Sequence, residues 1–138
     1  MNRVFSKSVL TSILLFGFLF AGDDISKIDI NKVCNVKANG VEKLLEVAKK
    51  YNPIAVEKHV EFKRLGYTNT QYIQAIEDAL ANGKKEIVLV DKDGNNKQIY
   101  SIEYAANRAC RFAIAALQFD AESDYTYKEA IPGEGFHY

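Results

Sequence analysis

The first strong pattern in the chain is an apolar run from Val9 to Phe20, preceded by Arg3 and Lys7 and followed by Ala21, Gly22 and the acidic pair Asp23-Asp24. A basic end, a short apolar stretch and small residues at its boundary are the layout of a secretory signal peptide. The cut is expected between Ala21 and Gly22, because Leu19 and Ala21 fit the pockets three residues and one residue before it. A membrane-spanning helix needs about 20 apolar residues, so this run is too short to be an anchor. No cysteine follows Ala21, which removes the lipid-attachment pattern of lipoproteins. Residues 1–21 are therefore expected to be a leader, and 22–138 one exported domain: an N-terminal segment (22–38), a core (39–120) and an aromatic tail (121–138).

Beyond the leader the polar stretch Asp23 to Ala38 carries scattered Ile25, Ile28, Ile30 and Val33, suited to an extended or briefly helical segment laid across the body. Asn39 with Glu42 reads as a capping box, and Val41, Leu44, Leu45, Ala48 and Tyr51 follow at helical spacing, predicting a helix over 40–51. Asn52-Pro53 should stop or sharply kink it and start a second helix through Val56, Val60 and Phe62 toward Leu65, with Gly66 at its end. Thr68 with Gln71 is another capping signature; Tyr72, Ile73, Ile76, Ala79 and Leu80 form the apolar face of a third helix ending at Asn82-Gly83.

The period then changes. Glu86 to Val90 and Lys97 to Ile102 are β-branched and aromatic runs around a polar Asp91-to-Asn96 loop, which predicts a β-hairpin that must pack one face on helices. From about Glu103 to Phe119 the alanine-rich sequence reads as a long central helix, with Ser101 suited to its cap and few polar positions. The expected fold class is α+β, mainly α: about four helices with one β-hairpin, closed by a disulfide.

Charge and composition narrow the partners. Removing Arg3 and Lys7 from 18 basic residues leaves 16 against 18 acidic ones, a net charge of −2 with histidine neutral. So weak a balance gives no field for nucleic acid or an anionic membrane, and neither is expected as a partner. The only cysteines, Cys34 and Cys110, both lie in the exported part, so a structural disulfide is expected in an oxidising compartment, the periplasm. Neither has the C-x-x-C neighbour or clustered histidine that a redox or metal site requires.

Several chemistries fail on counting. With His59 and His137 as the only histidines and no methionine after Met1, the chain cannot build a three-histidine zinc site or a methionine-rich copper site. Asp91-Lys92-Asp93-Gly94-Asn95 looks superficially like a calcium loop, but its glycine is too early for an EF-hand and the twelfth position is Ile102. Gly133-Glu134-Gly135 precedes no predicted helix and carries an acid where a phosphate cradle would repel its ligand. No G-x-S-x-G elbow surrounds any serine. No metal or cofactor and no catalytic residue is nominated. His59, in a predicted amphipathic helix, reads more readily as a surface residue than as a catalyst.

What remains is a polar stripe, Tyr104, Asn107, Arg108 and Arg111, spaced at three and four on the otherwise apolar last helix. Two arginines there need partners. Ion pairs with neighbouring carboxylates would make the stripe structural, whereas a small anion or a partner's carboxylate held by both forks would make it a site. Tyr125, Tyr127, Phe136 and Tyr138 in the tail pose the same choice between covering the core and binding a partner.

The segments Cys34 to Gly40, Phe62-Lys63-Arg64-Leu65-Gly66-Tyr67 and Ser101 to Phe112 resemble small uncharacterised exported proteins of ε-proteobacteria, over most of the mature chain. That resemblance implies a periplasmic address and carries over no catalytic residues. In outline, a small helical domain closed by one disulfide is also similar to the HdeA-type acid-stress chaperones, although no motif supports that match. The leading expectation is a non-enzymatic periplasmic protein that binds a protein partner or helps maintain the envelope. An acid-stress chaperone, an inhibitor or immunity protein, and an envelope enzyme using carboxylates or His59 are the alternatives.

Overall fold

The computed structural model describes residues 24–129, with side chains through 123. The leader, its cut site, Phe136 and Tyr138 lie outside the described residues, as do the side chains of Tyr125 and Tyr127. A 3-10 turn (Ile25–Lys27) is followed by α1 (Ile30–Val33), α2 (Val36–Asn39) and α3 (Val41–Glu57). A first hairpin, β1 (Lys63–Arg64) and β2 (Tyr67–Thr68), leads into α4 (Asn69–Ala81). A second, β3 (Glu86–Val90) and β4 (Lys97–Ser101), leads into α5 (Ile102–Glu129). The fold is thus mainly helical α+β, with five α-helices, three of them long, and two small hairpins.

Helix α5 is the central element. Its alanine face, with Ala105, Ala106, Ala109 and Ala113 completely buried, lets neighbouring backbones approach closely, and α3 makes the most extensive interface along it. Leu44, Ala48 and Ala55 of α3, Tyr72 and Ile76 of α4, and Ile87 and Leu89 of β3 fill the remaining core. Burial alternates along β3, so one face of the second hairpin packs on the helices and the other meets solvent.

Short polar side chains organise the N-terminal segment locally. Asp24, Asp29 and Asn35 each accept backbone N–H bonds at the start of a helical turn. The segment is then fastened to one stripe of α5. The Cys34–Cys110 disulfide spans a sequence separation of 76, Asn107 Nδ2 donates to the Cys34 carbonyl at 2.6 Å, and Gln118 Nε2 donates to the carbonyls of Ile25 and Ile28 at 3.0 and 2.8 Å.

Thr68 and Gln71 form the expected capping box of α4, and Ser101 Oγ accepts from Tyr104 N at the start of α5. Other local expectations are corrected. Asn39 does not cap α3, because its Nδ2 donates instead to the carbonyls of Lys32 and Val33, both at 2.9 Å; Gly40 occupies the cap position. Nor does Asn52-Pro53 end the helix. Asn52 is buried, its Oδ1 accepting from Asn69 Nδ2 at 2.9 Å and its Nδ2 donating to Thr70 Oγ1 at 3.0 Å, so the side chain that could have capped a new helix is already engaged. Helix α3 runs through Pro53, leaving the Lys49 carbonyl without its usual donor.

The second helix expected toward Leu65 is absent. Helix α3 stops in a Schellman motif with His59 at the left-handed position (φ 60°): Val60 N donates to Ala55 O and His59 N to Val56 O. Phe62 to Thr68 then forms the first hairpin. Leu65 and Gly66, at φ 53° and 84°, make a turn with both central residues left-handed, the type I′ geometry that matches strand twist. Helix α5 also continues beyond Phe119 to Glu129, into the stretch expected to be an irregular tail.

Candidate functional site

The structure divides the predicted polar stripe. Asn107 and Arg111 belong to the clamp on the N-terminal segment. Both terminal nitrogens of Arg111 donate to Asn31 Oδ1, at 2.8 and 2.6 Å, so its partner is an amide rather than a carboxylate. Tyr104 is half exposed and its ring stacks on Tyr100 at 5.2 Å between centroids. Arg108 turns inward, 5% exposed, with its guanidinium carbon 4.2 Å from the centre of the Tyr72 ring and 4.9 Å from that of Phe112. The four residues share one helix but do not form a two-arginine anion clamp.

Beneath the start of α4 lies a hydrogen-bonded polar cluster. Glu61 accepts from Thr70 N at 2.6 Å and from the Thr70 hydroxyl, placing a carboxylate at the positive end of the α4 dipole. Asn69 is buried and joins Asn52 to the Ala109 carbonyl of α5, 3.0 Å from its Nδ2. This cluster ties α3, α4 and α5 together. Apart from Asn69 Oδ1, which is buried without a partner, the polar groups named here are committed to one another, which suits a structural role.

Two surface grooves accompany α4. One, of about 400 Å³, runs between α3 and α4 past Asn52, Pro53, Val56 and Ile73, with Lys49 and Glu77 ion-paired at its edge. The other, of about 310 Å³, lies between α4 and the whole length of β3, with Gln71, Gln74, Asp78 and Asn82 on the helical side. His59 is exposed and lines neither groove. Among the described residues no set of three or more histidine, cysteine or carboxylate side chains is placed to hold a metal ion.

The backbone of β3 gives the second groove its chemistry. The bonds from Asp91 N to Asn96 O and from Ile102 N to Lys85 O fix which residue pairs of the ladder are hydrogen-bonded. In the same register the bonded pairs are Ile87 with Tyr100 and Leu89 with Gln98, while Glu86, Val88 and Val90 sit at the non-bonded positions. Those three residues turn their N–H and C=O groups away from β4. Among the described residues the sheet has two strands, so that edge of β3 has no described strand beside it, and it is the edge beside α4 that borders the groove. On the solvent face Val88 and Val90 are 48% and 50% exposed, and Ile99, directly across from Val88, is 53% exposed. Sequence reading missed this edge. Its signal was present, since a lone pair of strands always leaves two open edges and the alternation of Glu86 to Val90 places Val88 and Val90 outward.

The turn from Asp91 to Asn96 is held by its own aspartate. Desolvation opposes ionisation of Asp91, but bonds from Asn96 N (3.1 Å), Asn95 N (2.9 Å) and Asn96 Nδ2 (2.9 Å) outweigh it and hold the carboxyl below its ordinary value. The apparent calcium loop is therefore an aspartate-centred hairpin turn that fixes the register of β3.

No protein-family model matches the chain, and comparison with curated proteins and with solved structures found no match. Among the described residues no helix is long and apolar enough to cross a membrane. The disulfide is of the kind that an oxidising, extracytoplasmic compartment sustains.

Proposed function

We propose that the protein is a non-enzymatic binding protein of the periplasm that takes an extended segment of another exported polypeptide onto the free edge of β3. The observation that carries this reading is the row of outward N–H and C=O groups at Glu86, Val88 and Val90, lying open along the groove beside α4. Groups at every second residue of an extended chain match another extended chain, whose main chain supplies donors and acceptors at the same repeat. Side chains alternate, so the incoming strand would set one row beside Val88 and Val90 and the other against Gln71, Gln74 and Asp78. The preferred segment alternates β-branched or aromatic residues with polar or basic ones.

The Cys34–Cys110 disulfide and the leader both support the periplasmic address. An enzyme using His59 would need that side chain to meet an acid in a concave pocket. His59 instead terminates α3 on the exposed surface, which favours binding over catalysis.

Val88→Pro tests the reading. The Val88 N–H lies outside the β3–β4 ladder, so proline removes an edge donor without removing a ladder bond. Short peptides of alternating apolar and basic residues should bind the mature protein and lose at least ~tenfold in affinity to the variant, the equivalent of one backbone hydrogen bond. Equal binding by a folded Val88→Pro protein would overturn it.

A further inference from the structure

Arg108 is the single charged residue among the buried side chains of the described chain; the other buried polar residues, Asn52 and Asn69, are neutral. The rings of Tyr72 and Phe112 attract its cationic charge, but ring contacts leave donors in the guanidinium plane unanswered. Two of them, Nε and Nη2, are fully buried and have no hydrogen-bond partner. They lie on the same edge of the guanidinium, where their N–H bonds run parallel, the fork that takes both oxygens of a carboxylate side-on. The buried Tyr72 hydroxyl next to this site also lacks a partner of normal geometry. Of the buried side-chain atoms without a partner among the described residues, Asn69 Oδ1 is the one pure acceptor, while Arg108 supplies two donor atoms and Tyr72 a hydroxyl, so donors outnumber acceptors here.

We propose that the Nε–Nη2 edge of Arg108 is a binding site for a small monovalent carboxylate, independent of strand addition at β3. Charge selects the class of ligand. Arg111, the only other arginine on the stripe, is turned to Asn31, so one positive charge is available and one negative charge balances it. A phosphate dianion would leave an uncompensated charge among aromatic rings. A planar carboxylate fits the fork, and the ring walls favour a compact apolar body attached to it. Phe62 meets Phe112 edge-on at 5.4 Å, and Tyr100 lies 6.0 Å from Tyr72, extending those walls on both sides.

Access follows from the helix. Tyr104 and Phe112 stand one turn to either side of Arg108 on the same face, and both are partly exposed. Of the two, Phe112 is the ring that packs on the guanidinium, 4.9 Å from its carbon, so swinging this partly exposed ring aside is the change that would open Arg108 to solvent.

The experiment is a titration of the ¹⁵N-arginine-labelled mature protein with sodium acetate and sodium benzoate, and with phosphate and chloride at matched ionic strength, following the Arg108 Nε–H resonance. Acetate or benzoate should move that resonance to saturation and raise the unfolding temperature, while phosphate and chloride do neither. Arg108→Lys should weaken carboxylate binding at least ~tenfold by replacing the fork with a point charge, and Arg111→Lys should leave it unchanged. If Arg108→Lys does not fold, through-bond assignment of the native Nε–H carries the test alone. An Arg108 resonance that does not saturate by ~100 mM carboxylate, a hundred times a millimolar Kd, would overturn the proposal. So would a shift of equal size with chloride.

Discussion

Replacing Cys34 and Cys110 together by alanine measures how far the fold depends on its covalent clamp. The bridge closes a loop of sequence separation 76, the greater part of the described residues 24–129. Chain-entropy arithmetic for a loop of that length gives roughly 4.5 kcal/mol at 25 °C as an upper value, and measured bridges more often contribute about 2–4 kcal/mol. Not all of the segment's attachment is covalent, because Asn107, Arg111 and Gln118 also hold it to α5. Those hydrogen bonds keep the native position favourable after the bridge is gone, so the double variant should fold with a stability deficit near 3 kcal/mol, inside the range typical of bridges. For a domain of this size that corresponds to a fall in Tm of roughly 10–20 °C. Thermal unfolding followed by circular dichroism, with and without reductant, reads it directly. Reductant should bring the native protein close to the variant and leave the variant unchanged. A native protein that loses less than about 1 kcal/mol on reduction would refute the clamp argument.

Three further outcomes follow from the geometry. His59→Gly should raise stability by roughly 1 kcal/mol in chemical denaturation, because glycine relieves the left-handed cost at φ 60°; a loss would mean that the imidazole has a role beyond ending α3. Asn69→Ala should cost about 2–3 kcal/mol, since it strips Asn52 Oδ1 and the Ala109 carbonyl of a buried donor; a change within a few tenths would show that the polar cluster does not tie the helices. Burial, aided by Tyr100 and opposed by the Arg108 charge, pushes the Tyr72 hydroxyl up to about 12. The folded state therefore prefers the neutral phenol: its contribution is complete below the ordinary value of 10.0 and is lost as pH rises toward about 12. Denaturant unfolding at pH 9 and 11 should show that loss in the native protein and a smaller one in Tyr72→Phe; identical losses would contradict it.

The elements visible in the sequence are those whose signals stay local. The Thr68–Gln71 capping box and the Tyr72, Ile73, Ile76, Ala79 face needed nothing from elsewhere in the chain, and α4 formed where they placed it. The same holds for the alternation of Glu86 to Val90. Local signals misled where a distant group claimed the same side chain. Asn39 and Asn52 both look like helix caps, but Lys32 and Val33 take one, and Asn69 and Thr70 the other. Leu65-Gly66 could end a helix or turn a hairpin; His59 had already ended the helix. The run of α5 to Glu129 was missed because the apolar period fades after Phe119, although no proline or glycine interrupts the sequence before Pro132.

The candidate sites follow the same division. Spacing placed Tyr104, Asn107, Arg108 and Arg111 on one stripe and showed that the arginines required partners. Which partners depended on where the N-terminal segment and α4 lie. Asn31 lies 80 residues before Arg111 and the Cys34 carbonyl 73 before Asn107, and Tyr72 was invisible as a neighbour of Arg108. The β3 edge is defined by the absence of a third described strand beside it, a property of the assembled sheet rather than of any residue.

Amide hydrogen exchange along β3, measured in the mature protein with and without a saturating alternating peptide, tests strand addition most directly. In the free protein the Ile87 and Leu89 amides, bonded to β4, should exchange slowly, and those of Glu86, Val88 and Val90, facing the groove, should exchange fast. Peptide should slow the second group while Ile87 and Leu89 stay as they were. Contradiction would take either of two forms: bound peptide that leaves Glu86, Val88 and Val90 fast, or an edge already protected in the free protein.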